Sequence, residues 1–218
     1  MVAALVAALL AGPVAYELPL PCGLIVPVPP AMEGEEGFVF VSQPRPCPPG
    51  GAREDYAVTT DFGDGTVEET PFRPGDGLYL IGGDHAYRRA GSYQLVATVL
   101  DRRTNQTTVY RRGPVSVPNA PLTARKAGRP TFSTTRRKRR VVGRFADGNR
   151  LAARGDYRVT VKWGDGSRSP GSVSKRGGTF AVSAAHRYRT TRRRHIAITV
   201  RDDRGAELTL RTTPRIRR

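Results

Sequence analysis

The chain has 218 residues, of which 38% are hydrophobic and 25% charged, with 24 Gly and 18 Pro. That length holds two units of roughly 100 residues, and the absence of any heptad or long helical period excludes coiled coils and helical bundles in favour of short strands joined by turns. The net charge of +17 is split: residues 1–118 carry 9 Lys+Arg against 13 Asp+Glu, a net −4, whereas residues 119–218 carry 27 against 6, a net +21.

In chain order, residues 1–15 open with an uninterrupted apolar run over residues 1–11. It is too short to span a bilayer, which takes about 20 residues, so no transmembrane span is expected. It fits the core of a secretory signal, although a basic n-region is missing and Pro13 disturbs the cleavage pattern. Export of a bacterial protein, secreted or surface-attached, is the reading that follows; a start lying further upstream is the other. Cys22 and Cys47 are the only cysteines. In an exported protein they can pair across a loop of about 25 residues, worth about 3 kcal/mol. Two unrelated thiols are the alternative, and no second Cys or His pair supplies a zinc spacing. Residues 16–35 contain Pro19, Pro21, Pro27, Pro29 and Pro30 and read as an extended linker of polyproline character.

A first β unit is expected over residues 36–118, with Pro114, Pro118 and Pro121 punctuating its end, and a second over 119–218, fraying after Pro214. The two are a repeat at a constant offset of 101 residues. Tyr56, Val58 and Gly63-Asp64-Gly65 answer Tyr157, Val159 and Gly164-Asp165-Gly166. His85 and Tyr87 answer His186 and Tyr188, and Asp101 answers Asp202. Tyr157, Val159, Val161 and Trp163 alternate with Arg158, Thr160 and Lys162, the pattern of a strand with one apolar and one wet face. Ile196, Ile198 and Val200 repeat it, as do Tyr56, Val58 and Phe62, then Leu95, Ala97 and Val99, in the first copy. Closing strands are expected at residues 107–111 and 207–211. Such faces need a second sheet to cover them, so the fold class is all-β: two tandem antiparallel β-sandwiches. The Gly-Asp-Gly blocks are turn chemistry, since glycine accepts positive φ and Asp can hold nearby N–H groups. Tyr87 and Tyr188 are placed to send a hydroxyl to a backbone carbonyl, as in a tyrosine corner.

An aromatic residue followed by Gly-Asp-Gly (Phe62 to Gly65, Trp163 to Gly166), then His-x-Tyr (His85, Tyr87; His186, Tyr188), then Gly91, Tyr93, Leu95, Val99 and Asp101, closely resembles the PKD (polycystic kidney disease) domain family. In the second copy, Phe145-Ala146-Asp147-Gly148-Asn149 leading through Tyr157 to Trp163 looks like the version repeated in large bacterial surface proteins. The resemblance implies Ig-like sandwiches that serve as non-catalytic spacers or binding modules, some of them accompanying hydrolases that act on polymers. Two departures stand out: Arg192 and Arg194 replace Gly91 and Tyr93, and Pro44, Pro46, Pro48 and Pro49 precede the first core strand.

Sharper chemistry is weakly signalled. His85, His186 and His195 suggest a catalytic triad only superficially, because two are repeat-equivalent and no Ser or Cys sits in a nucleophile elbow; no catalytic residue is assigned. Asp61, Asp64 and Asp84, or Asp165, Asp202 and Asp203, offer oxygens for Ca²⁺ but no EF-hand spacing; no metal or cofactor is assigned. The densest basic runs, Arg136, Arg137, Lys138, Arg139 and Arg140, then Arg192, Arg193 and Arg194, are the candidate contacts to an anion, because each Arg can fork two N–H bonds to a phosphate or carboxylate. Arg outnumbers Lys 32 to 4, as GC-rich coding alone would produce, so a solvated face is the competing reading. An anionic cell-wall polymer, a polysaccharide or a protein partner is expected, and no motif for specific nucleic-acid reading is present. The function expected is surface-associated binding or structure; an accessory module acting with a separate secreted hydrolase is the alternative.

Overall fold

A computed structural model of the chain describes residues 32–42, 53–70, 73–75 and 78–218. The apolar segment 1–15, the proline-rich stretch up to residue 31, Cys22, Cys47 and the prolines between residues 44 and 49 lie outside the described residues.

The first sandwich contains β1 (Gly37–Ser42), β2 (Tyr56–Asp61), β3 (Val67–Glu69), β4 (Arg73–Gly75), β5 (Leu78–His85), β6 (Gly91–Asp101) and β7 (Gln106–Val117). One sheet runs β3-β2-β6-β7 and the other β1-β5-β4. Val58, Leu95, Ala97 and Val99 point from the first sheet into a core that Val39 and Ile81 close from the second. The second sandwich contains β8 (Leu122–Arg125), β9 (Thr131–Ser133), β10 (Lys138–Asp147), β11 (Tyr157–Lys162), β12 (Arg168–Pro170), β13 (Ser172–Arg176), β14 (Thr179–His186), β15 (Ile196–Asp202), β16 (Glu207–Thr212) and β17 (Arg215–Arg217). Its sheets run β12-β11-β15-β16 and β13-β14-β10-β8. Strand β11 is strictly alternating, buried at Tyr157, Val159 and Val161 and exposed between them, because its outer face meets water while its inner face meets Phe145, Phe180 and Val182 across the core. The two hydrophobic clusters share no residue.

The repeat is reproduced in hydrogen-bond register. Gly37 pairs with His85 as Lys138 pairs with His186, and Tyr56 pairs with Asp101 as Tyr157 pairs with Asp202. Two local expectations are corrected. Pro114 does not end its strand: β7 continues to Val117 along the sheet edge, where a missing N–H is tolerated, and β7 itself bulges there, Gly113 and Pro114 together standing opposite Gln94 of β6. The tail after Pro214 does not fray: β17 pairs in parallel with β9, and Ile216 packs against the core. Where Arg192 and Arg194 replace Gly91 and Tyr93, β15 starts only at Ile196. The stacking of Tyr93 on Tyr87, at 4.3 Å, has no counterpart there.

Residues 32–35, the end of the expected linker, form a turn wedged between the sandwiches instead of an extended run. Glu33 is 4% exposed. One carboxylate oxygen accepts the Ala90 N–H at 2.7 Å and the other the Ala120 N–H at 3.2 Å. Its own N–H donates to Pro118 O, and Gly34 N–H donates to Tyr87 O. From the second sandwich, the Asn149 side-chain amide donates to Arg88 O at 2.9 Å, and Asp147 accepts the Tyr157 hydroxyl. The Phe145–Asn149 motif thus serves the junction and the core behind it.

Candidate functional site: a basic cleft built on a repeated corner

Each Gly-Asp-Gly block closes into a corner whose parts hold one another. Phe62 N–H donates to Thr66 O at 3.0 Å, and Trp163 N–H to Ser167 O at 3.0 Å. The tight reversal requires Gly164 at φ +77°, where a Cβ would lie 2.4 Å from the His195 carbonyl oxygen. Asp64 Oδ1 accepts the Thr66 N–H, while Oδ2 lies 2.9 Å from His85 Nε2. In the second corner Asp165 Oδ1 accepts both the N–H and the hydroxyl of Ser167, and Oδ2 lies 2.8 Å from His186 Nε2. The imidazoles stack on the aromatic residues that open the turns, His85 on Phe62 at 4.1 Å and His186 on Trp163 at 4.3 Å. The Tyr87 and Tyr188 hydroxyls donate to Phe62 O and Trp163 O, each at 3.1 Å. Each corner is assembled within its own sandwich.

These contacts set the electrostatics. Burial works to raise the Asp165 carboxyl, but the Ser167 hydroxyl and N–H, with His186, outweigh it and hold the group down to about 2. Asp64 is lowered in the same way, His85 and Thr66 overcoming burial. Burial pushes the Tyr87 and Tyr188 hydroxyls well above the ordinary tyrosine range.

Over the second corner lies an open cleft of roughly 480 Å³, lined by Trp163, His186, Ser167, Ser169, Thr135 and Ala185 and by three arginines, Arg137, Arg168 and Arg187. Arg137 comes from the turn before β10, Arg168 from the edge strand β12, and Arg187 from between His186 and Tyr188. All three are exposed, and among the described residues none is paired with a carboxylate. Ser169 Oγ accepts the Trp163 indole N–H at 3.0 Å, which leaves its own proton to donate.

Of the basic residues singled out in the sequence, only Arg137 lines this cleft. Arg136 is exposed in the same turn. Lys138, Arg139 and Arg140 lie on β10, where Arg139 donates to Ser172 Oγ at 2.6 Å and Arg140 to Thr131 O at 3.3 Å. Arg192 and Arg193 are exposed in the loop before β15, and Arg194 donates to Gly164 O at 3.3 Å. Arg168 and Arg187 were missed because each stands alone in sequence. The repeat offset finds them: the rim residues Arg137, Arg168, Ser169, Ala185 and Arg187 answer Glu36, Val67, Glu68, Asp84 and Ala86, whereas the floor residues Trp163, Ser167 and His186 answer Phe62, Thr66 and His85.

The carboxylates considered for calcium have other duties. Asp61 accepts the Gly63 N–H, and Asp202 accepts the Arg204 and Ala206 N–H groups. Among the described residues no three His, Cys, Asp or Glu side chains gather as a metal would require, and no helix is long and apolar enough to cross a membrane.

Neither a family model nor a curated protein matches the sequence. Among solved structures, the chain is similar to the Bacteroides ovatus mixed-linkage glucan utilization locus protein SGBP-B in complex with a mixed-linkage heptasaccharide, at 15% identity and a TM-score of 0.26, covering 75% of this chain and 38% of that one. It is also similar to the fibronectin(III)-like modules of Clostridium thermocellum CbhA, at 13% identity and a TM-score of 0.30, covering 87% of this chain and 91% of that one. A third is chicken VE-cadherin EC1-2, at 15% identity and a TM-score of 0.33, covering 84% and 92%. All three lie far below the level at which a shared architecture implies a shared activity.

Proposed function

We propose that this chain is a non-catalytic binding protein of the cell exterior, secreted or surface-attached, built from tandem PKD-like modules, and that its basic second module contacts an anionic polymer such as a cell-wall polyanion or acidic polysaccharide. The PKD reading is supported by the matched aromatic-Gly-Asp-Gly and His-x-Tyr blocks. The non-catalytic reading is supported by His85 and His186, each occupied by an aspartate and stacked on an aromatic ring within its own corner. The observation that carries the binding proposal is the contrast between equivalent faces: around the corner the first copy presents Glu36, Glu68 and Asp84, and the second presents Arg137, Arg168 and Arg187. The action is passive: a stiff scaffold holds guanidinium forks where several oxyanions of one polymer can meet them, and each added contact lengthens residence.

The test is retention of the whole chain on immobilised wall polyanion or heparin in rising NaCl. Binding at about 50 mM that weakens steeply and log-linearly with salt is expected. Absence of binding at low salt, or retention indifferent to salt, would end this reading.

A further inference from the structure

We infer that the cleft over the second corner is the ligand site, and that it takes a polymer-borne ester oxyanion with three terminal oxygens, a sulfate or a phosphate monoester, in preference to a carboxylate. This rests on the anionic-polymer reading and names the site and ligand chemistry within it. Three guanidiniums arrive from three different elements at one concave surface, and none is neutralised by a carboxylate among the described residues. The Ser169 hydroxyl adds a donor, its acceptor side being taken by Trp163. A carboxylate has two oxygens and about four lone-pair sites, which two Arg forks already fill. Three forks and a hydroxyl offer more donors than it can accept, whereas three terminal oxygens match them. Asp165, the carboxylate that holds the floor, has both oxygens engaged by Ser167 and His186 within the corner.

The first sandwich acts as a control within the same molecule. The floor is retained there as Phe62, Thr66 and His85, so the corner itself needs no arginine rim. The floor changes only between aromatic residues and between hydroxyl residues, whereas the rim differs in sign. The cleft is open and of a size that holds one or two sugar units, which suits a residue within a continuing polymer.

The experiment uses the whole chain and two variants that remove equal charge: Arg137→Gln/Arg168→Gln/Arg187→Gln in the cleft, and Arg189→Gln/Arg192→Gln/Arg193→Gln in the exposed loop before β15. Circular dichroism first checks that both keep the fold. Affinities are then measured for heparin, for desulfated heparin that keeps its carboxylates, for a phosphomonoester-bearing mannan and for polygalacturonate. The cleft variant should lose at least about tenfold toward heparin or the phosphorylated mannan, and the loop variant less than about threefold. Wild type should bind the carboxylate-only polymers at least about tenfold more weakly; the heparin and mannan arms then separate sulfate from phosphate. Equal losses in the two variants would overturn the site while leaving polymer binding intact. Equal affinity for the carboxylate polymers would overturn the ligand class. If the cleft variant loses only a salt-sensitive self-association of the chain, with polymer affinity unchanged, the acidic face of a second copy is the occupant and the inference fails.

Discussion

At the scale of single residues, the tyrosine hydroxyl ties the corner through one buried bond. Tyr188 is 1% exposed, and its hydroxyl is the donor to Trp163 O. Tyr188→Phe removes that donor without opening a cavity and should cost about 1–3 kcal/mol. Urea unfolding followed by the fluorescence of Trp163, the only tryptophan, reads the second sandwich directly; a midpoint unchanged from wild type would refute the assignment. Asp165 adds a pH dependence with a definite sign. Its carboxyl titrates at about 2 in the fold against an ordinary 3.8, so the folded state binds fewer protons than the unfolded state in that window. Its contribution is complete above about pH 4 and is lost as pH falls toward the folded value. Asp165→Asn should therefore be less stable than wild type at neutral pH and lose less stability between about pH 4 and 2, checked by thermal melts across that range. Parallel acid limbs for the two proteins would count against the corner's electrostatics.

At the scale of elements, the C-terminal strand shows how a charged tail is recruited. Residues 215–217 read as Arg-Ile-Arg, and alternation lets Ile216 face the core while Arg215 and Arg217 face water. Arg215 N–H donates to Pro130 O and Arg217 O accepts the Thr134 N–H, so the strand staples β9 to the sandwich. Deleting residues 215–218 should lower the melting temperature of the second sandwich by roughly 4–8 °C, the shift expected for about 1 kcal/mol in a unit of this size. The same deletion also removes three arginines, so Ile216→Ser is the cleaner variant. A melting temperature unaffected by Ile216→Ser would show that the strand contributes no packing.

At the scale of the molecule, two separate cores are joined by a small polar seam. The ion pairs across it, Arg88 with Asp156 and Arg89 with Asp203, have half-exposed arginines, and exposed pairs contribute about 0–1 kcal/mol. Glu33 is different, because removing its carboxylate leaves the Ala90 and Ala120 N–H groups without that acceptor. Burial raises the Glu33 carboxyl, against the two N–H bonds that lower it. A raised value means its contribution is fully present below the ordinary range and is lost as pH rises through the folded value, the opposite sense to Asp165. Glu33→Ala should loosen the pair, seen as a larger radius of gyration in solution scattering, while Arg88→Ala should leave it unchanged. Identical scattering from the two variants would show that the turn at residues 32–35 does not couple the sandwiches.

Much of this architecture is written locally. The alternation from Tyr157 to Trp163, the Gly-Asp-Gly turns and the tyrosine hydroxyl bonds are visible because period-two burial and positive-φ turns leave signatures within a few residues. The His–Asp pairing was not visible, since Asp64 and Asp165 had an adequate local duty in holding turn N–H groups and nothing in the spacing announced a second. The partners of the basic runs were hidden in the same way. Charge density along the chain marks exposed segments, yet Arg139 and Arg140 bond their own sheet and Arg194 covers the second corner. The sequence by itself determined the two β-sandwiches, their corners and which of them is basic, because those are sums of local patterns. Only the tertiary structure decided that Arg137, Arg168 and Arg187 share one cleft and that Glu33 sits between two sandwiches, because sheet pairing and module docking bring together groups that no nearby residue announces.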